Sequence, residues 1–220
     1  MPGAVVIGAG PGIGQAVARR FAREGLSVGV VARTDATAKA ALEAVRQAAA
    51  GTGGAAAART ADSTDETALR AALDGLAAEL GPPDVLVYNA ALVRADTVGE
   101  LSAREHLDAW AVNVVGALTA AAHTAPGMAQ RGRGTILITS GMPVTRPTHV
   151  SLSLGKAGVR AAVSLLDQTY GAAGVHAASV TVAGPVAPGT DFDPDDIAEH
   201  YWRLHTQPRE SWEHEALHGG

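Results

Sequence analysis

The segment Val5–Gly14, VVIGAGPGIG, constrains this chain more than any other. An apolar run, Ala4–Ile7, ends in four glycines at Gly8, Gly10, Gly12 and Gly14, with Ile13 between the last two. A helix then follows from Gly14 to Glu24, apolar at Ala16, Val17, Phe21 and Ala22. Glycine serves where backbone turns sharply out of a strand or lies close against a ligand. The start of the helix offers unpaired N–H groups and the positive end of its dipole to an anion such as a pyrophosphate. The spacing is Gly-x-x-x-Gly-x-Gly rather than the commoner Gly-x-Gly-x-x-Gly. The reading therefore leans on the strand–turn–helix–strand unit around it.

That unit opens a regular alternation. Strands are expected at Ala4–Ile7, Ser27–Ala32, Ala55–Thr60, Val85–Tyr88, Thr135–Thr139 and Ala178–Val182. Helices are expected at Gly14–Glu24, Ala36–Ala50, Asp65–Leu80, Ala103–Gln130, Ser153–Tyr170 and Pro194–His205. Ser63–Glu66 supplies caps for the third helix, and Asp193 with Pro194 the cap and first turn of the last. The alternation predicts an α/β fold, a Rossmann-like doubly wound parallel sheet in three αβα layers, as a single domain over residues 1–220. A net charge of −5 argues against a nucleic-acid partner. The absence of cysteine excludes disulfide and thiolate chemistry. No apolar run reaches membrane-spanning length and no basic segment precedes Val5, so a cytoplasmic protein without a membrane partner is expected.

Further markers fall in order along the chain: Asp62 after the third strand, Tyr88-Asn89-Ala90-Ala91, Asn113 in the long fourth helix, Ser140 after the fifth strand and Lys156 in the next helix. With the glycine turn, they make the sequence resemble the short-chain dehydrogenase/reductase family over essentially its whole length. The resemblance implies an oxidoreductase acting on a small-molecule substrate with a nicotinamide cofactor. By that likeness Lys156 would bond the nicotinamide ribose, Ser140 would hold a polar atom of the substrate, and Asn113 would keep a helix bend and a water near Lys156. Gly8, Gly10, Gly12, Ile13, Gly14, Asp62, Asn89, Ala90 and Pro185 would contact the cofactor. Residues 185–220 would form a short C-terminal substrate lid. A homodimer or homotetramer, assembled through the helices around Asn113 and Ser153–Tyr170, would be the working form.

Cofactor preference is read at the end of the second strand. Folds selective for NAD place a carboxylate there for the ribose hydroxyls; this chain has Val31-Ala32-Arg33-Thr34, with Asp35 two positions late. Arg33 can instead bind a 2′-phosphate bidentately, which favours NADP(H).

One departure from the family pattern stands out. The usual acid is a tyrosine four residues before the lysine, one turn away on the same face; here that position is Leu152. Ser140 and Lys156 are 16 positions apart, about one fewer than is common in the family. Candidate replacement acids are Ser153, on the right helix, His149, whose side-chain type exchanges protons near neutral pH, and Tyr201 in the last helix. The expected activity is reduction of a C=O, C=N or activated C=C bond. The alternatives are an inactive nucleotide-binding regulator and a non-redox cyclase or isomerase. His214–His218 matches the HExxH zinc signature, which requires a helix. It stands at the end of the chain without a third ligand, so no metal site is expected.

Overall fold

A computed structural model describes residues 3–219. Seven parallel strands form one sheet: β1 (Gly3–Ile7), β2 (Ser27–Ala32), β3 (Ala56–Thr60), β4 (Val85–Tyr88), β5 (Gly134–Gly141), β6 (Val175–Val182) and β7 (Glu215–His218). Their spatial order is β3-β2-β1-β4-β5-β6-β7. The chain winds outward from β1 to β3, returns beside β1 as β4, and winds outward again. This reversal opens a crevice at the carboxyl ends of β1 and β4, where open α/β sheets bind their ligands. Strands β1, β2, β4 and β6 are buried at every position, as a parallel sheet covered on both faces requires.

The helices α1 (Ile13–Arg23), α2 (Asp35–Ala48) and α7 (Pro194–Thr206) cover one face, burying Val17, Phe21, Val45, Ile197, Tyr201 and Leu204 against it. The helices α3 (Glu66–Leu80), α5 (Gly116–Gln130) and α6 (Val150–Tyr170) cover the other, through residues such as Leu73, Leu76, Met128, Val159 and Leu166. The short α4 (Ala103–Trp110) leads into α5 through a π-helical turn, Ala111–Val115, that contains Asn113. Local chemistry sets the helix starts. Asp65 accepts from Ala68 N at 3.0 Å, Ser102 and Glu105 form a capping box, and Asp193 accepts from Asp195 N with Pro194 in the first turn.

Two element boundaries differ from expectation. Helix α6 begins at Val150, not Ser153, because the buried Asp96 carboxylate accepts from Ser151 N (2.9 Å) and Ser151 Oγ (2.8 Å) and caps it across the fold. Strand β6 starts at Val175 rather than Ala178, paired with Gly134 of β5. The HExxH segment runs into strand β7, paired with β6, so His214 and His218 lie four residues apart on extended chain instead of one helical turn. Of the described residues after 184, Pro185 and Val186 line the cleft, and helix α7 and strand β7 follow. Helix α7 belongs to a core layer and β7 to the sheet, because α7 carries an apolar face of Ile197, Tyr201 and Leu204.

Among the described residues no helix is long and apolar enough to cross a membrane.

Candidate active site

Two adjoining hollows, of about 400 and 700 Å³, share Gly10, Pro11, Asn89 and Ala91 and form one cleft over the carboxyl ends of the strands. Gly8 turns the chain out of β1 at φ +83°, the left-handed region where a side chain is strained, and a Cβ there would strike the backbone of Ala90. Gly14 lies behind the turn, where a Cβ would strike the Gly8 carbonyl, so it serves helix–turn packing rather than the cleft wall. Gly10 and Gly12 are different. A Cβ on either would meet nothing within 4 Å, so the space beside them is open. Helix α1 starts there with Gly12 as a cap that makes no side-chain hydrogen bond and with no acidic residue in its first turn. An anion therefore has both room and donors.

Asn89 ties the turn to the sheet. Its backbone N–H donates to Ile7 O (2.8 Å), its Nδ2 to Gly8 O (2.8 Å), and its Oδ1 accepts from Thr139 Oγ1 (2.8 Å). Arg33 and Asp62 line the smaller hollow with Gly8, Gly10, Asn89 and Ala90. Asp62 accepts from Thr64 N (2.9 Å) and Thr64 Oγ1 (2.8 Å); these bonds, with the nearby Arg33 charge, hold its carboxyl below the usual range. Arg33 itself has no carboxylate within ion-pair distance among the described residues.

The larger hollow is lined by Gly12, Ile13, Ser140, His149, Leu152, Lys156 and Pro185, among others. Lys156 is buried and donates from Nζ to Thr139 O at 2.8 Å. Burial, assisted by the Arg160 charge, pushes its ammonium down to about 8. Ser140 is 3% exposed, and its Oγ is buried with no hydrogen-bond partner in the protein. Such a group is costly unless something completes it, and here it stands on the wall of a cavity. Leu152, also buried, presents an apolar surface to the cavity one helical turn before Lys156.

Three proposed site residues do not reach the cleft. The Asn113 amide is committed to the backbone of Leu92, accepting from its N–H (2.9 Å) and donating to its carbonyl (3.2 Å), so it staples the segment after β4 from within the π turn, the helix bend expected of it. Tyr88 OH donates to Val112 O (2.6 Å) and anchors the same π turn; burial moves that phenol up to about 12. Ser153 Oγ accepts from Arg146 N at 3.1 Å, turned toward the loop that precedes α6. Tyr201 is fully buried in the α1–α7 layer with its hydroxyl 2.6 Å from Thr139 Oγ1, and burial raises its pKa further from the range of a useful acid. Of the three replacement acids, only His149 lines the cavity.

Sequence reasoning missed Thr139, Arg146 and Asp96. Arg146 lines the larger hollow from a proline-rich loop that carries no motif. Asp96 acts on residues 55 positions away, so nothing local marks it.

The fold and cleft define a doubly wound α/β protein with an anion-ready glycine turn beside a hydroxyl and a buried lysine. The short chain dehydrogenase family model matches residues 3–195, and the chain belongs to that family. It is 30% identical over 180 residues to a D-threitol dehydrogenase of Mycolicibacterium smegmatis, covering 81% of this chain and 68% of the relative. It is 29% identical over 173 residues to a short chain dehydrogenase of Pseudocercospora fijiensis, covering 77% of this chain but 53% of that relative, so the chain spans about half its length. The crystal structure of a metagenomic short-chain oxidoreductase in complex with NADP superposes with a TM-score of 0.85 at 27% identity, covering 98% of this chain and 96% of the other.

Proposed function

We propose that this protein is an NADP(H)-dependent oxidoreductase that reduces a C=O, C=N or activated C=C bond of a small organic substrate, in a site without the family's tyrosine. The single observation that carries the reading is the unpartnered, buried Ser140 hydroxyl on a cavity wall shared with Lys156 and Leu152.

The residues fit the cofactor. The open space at Gly10 and Gly12 and the uncapped start of α1 suit a pyrophosphate, and Arg33 suits a 2′-phosphate. Asp62, Asn89 and Ala90 would flank the adenosine half, with Ile13, Lys156 and Pro185 toward the nicotinamide half. When bound, NADPH supplies a hydride. Ser140 would orient the substrate through its polar atom, and Lys156 would add positive field beside it. Leu152 excludes water from that wall and donates no proton. A ketone accepting hydride develops alkoxide charge and suffers from this loss, whereas an iminium needs no proton at that step. The cavity of about 700 Å³ favours an enzyme over a nucleotide-binding regulator.

Self-association through α4, α5 and α6 belongs to the same reading. That face exposes Leu107, Trp110, Val115, Leu118 and Leu154, which supports a homodimer or homotetramer. A monomer by light scattering at high micromolar concentration counts against it.

A single-turnover screen of NADPH oxidation across ketones, iminium ions and enones tests the activity. Oxidation by one class supports it; tight NADPH binding with no oxidation by any class returns the regulator reading.

A further inference from the structure

Among the described residues every arginine side chain except Arg33, Arg46 and Arg146 has a carboxylate or backbone carbonyl partner. All three are exposed, and Arg46, on α2, lies outside the cleft lining. The other two stand in its two hollows, Arg33 in the smaller and Arg146 in the larger. The larger hollow is lined by Arg146, His149 and Lys156 and by no aspartate or glutamate, in a chain of net charge −5. Such a bias of sign inside an acidic protein is electrostatic preparation for a negative ligand.

The loop bearing Arg146 is held from several sides. Arg146 N donates to Ser153 Oγ (3.1 Å), and Asp96 N donates to Thr148 O (3.0 Å). Arg160 braces the start of the loop by donating to Gly141 O (3.2 Å). The start of α6 is already neutralised by Asp96, so its N–H groups do not supply the anion site. The free donor is the guanidinium, whose planar fork matches a carboxylate or phosphate.

We infer that the substrate of this cavity carries a small oxyanion, a carboxylate or a phosphate ester, anchored by Arg146 with His149 beside it. This rests on the reading of the larger hollow as the substrate site. The anionic group is the anchoring end of the molecule, and the bond to be reduced lies toward Ser140 and Lys156.

Calorimetric titration of benzoate, phenyl phosphate and neutral benzamide into the protein tests the inference, in wild type, Arg146→Met and Arg33→Met. Benzoate or phenyl phosphate should bind at least about tenfold more tightly than benzamide, the scale of one charge-assisted hydrogen bond. That preference should vanish in Arg146→Met and persist in Arg33→Met. Whichever anion binds more tightly identifies the oxyanion. Equal binding of all three probes, no binding of either anion at millimolar concentration, or a preference that survives Arg146→Met overturns the proposal. A parallel NADPH titration separates the two readings. Arg146-dependent benzoate binding without NADPH binding would sink the oxidoreductase reading and leave the anion site standing.

Discussion

The hydroxyl of Tyr201 donates to Thr139 Oγ1 across 2.6 Å, and the direction is forced. Asn89 Oδ1 can only accept, so the single proton of Thr139 goes there, leaving the threonine oxygen to receive the phenol. Asn89 in turn donates to Gly8 O. A buried relay thus runs from α7 through β5 to the glycine turn, and it assigns Tyr201 to holding the cleft's shape.

Tyr201→Phe should therefore destabilise the protein by about 0.5–1.5 kcal/mol, the cost of one neutral hydrogen bond. It should leave the rate of hydride transfer within about twofold. Denaturant melts and single-turnover kinetics check both. A loss of about a hundredfold in that rate would return Tyr201 to the role of acid.

What was legible in the sequence was whatever neighbouring residues decide. The glycine turn, the apolar strand β2 and the Asp193–Pro194 start of α7 all act within a few positions, and each lies where pattern and capping chemistry put it. What was hidden depends on partners far along the chain. The start of α6 is set by Asp96, the fate of the Asn113 amide by Leu92, and that of the Tyr201 hydroxyl by Thr139. A tyrosine in an amphipathic helix reads the same whether its hydroxyl meets a substrate or a threonine. Arg146 is exposed on its loop like any surface arginine, and only the absence of carboxylates from the cavity it lines sets it apart.

Ser140 should trade stability for function. Its buried Oγ has no protein partner, so Ser140→Ala removes a desolvated group and should raise stability by roughly 1 kcal/mol while lowering turnover. Thermal melts of the protein without cofactor measure the first effect and steady-state rates the second. A destabilised alanine variant contradicts the account of this hydroxyl.

Arg33 should set cofactor choice. One arginine on a 2′-phosphate contributes about 1.5–3 kcal/mol, so NADPH should bind roughly 10–100 times more tightly than NADH. Arg33→Ala should shrink that ratio mainly by weakening NADPH. Equal affinities of the wild type for the two cofactors, by calorimetry, rule the assignment out.

Lys156 should make stability rise with alkaline pH. Its folded-state value is about 8, against 10.5 for the exposed side chain. Between these values the unfolded chain keeps a proton that the folded one has released, and stability climbs with pH there. The charged lysine thus carries a penalty of at most roughly 3 kcal/mol, present in full below about pH 8. Lys156→Met, which also forfeits the bond to Thr139 O, should stabilise the protein by roughly 1–2 kcal/mol at about pH 7, and less at about pH 9.5. A pH-independent effect, by urea unfolding at both values, contradicts the depressed titration.

Leu152 poses the sharpest choice. If the position has only lost an acid, Leu152→Tyr puts a phenol one turn from Lys156 and on the wall that holds Ser140. The ammonium would lower that phenol's pKa, and ketone reduction should rise by about 10²–10⁴-fold, the usual scale of general acid catalysis. If the cavity is built around an apolar wall, the larger and polar ring obstructs it and native turnover falls. The second outcome is expected. Leu152 is 4% exposed, so its wall is already packed, and the shortened Ser140–Lys156 interval marks a loop remodelled with it. Both activities measured in one mutant decide the matter, because a variant that gains ketone reduction while keeping its native turnover has room for the phenol and shows the wall to be dispensable.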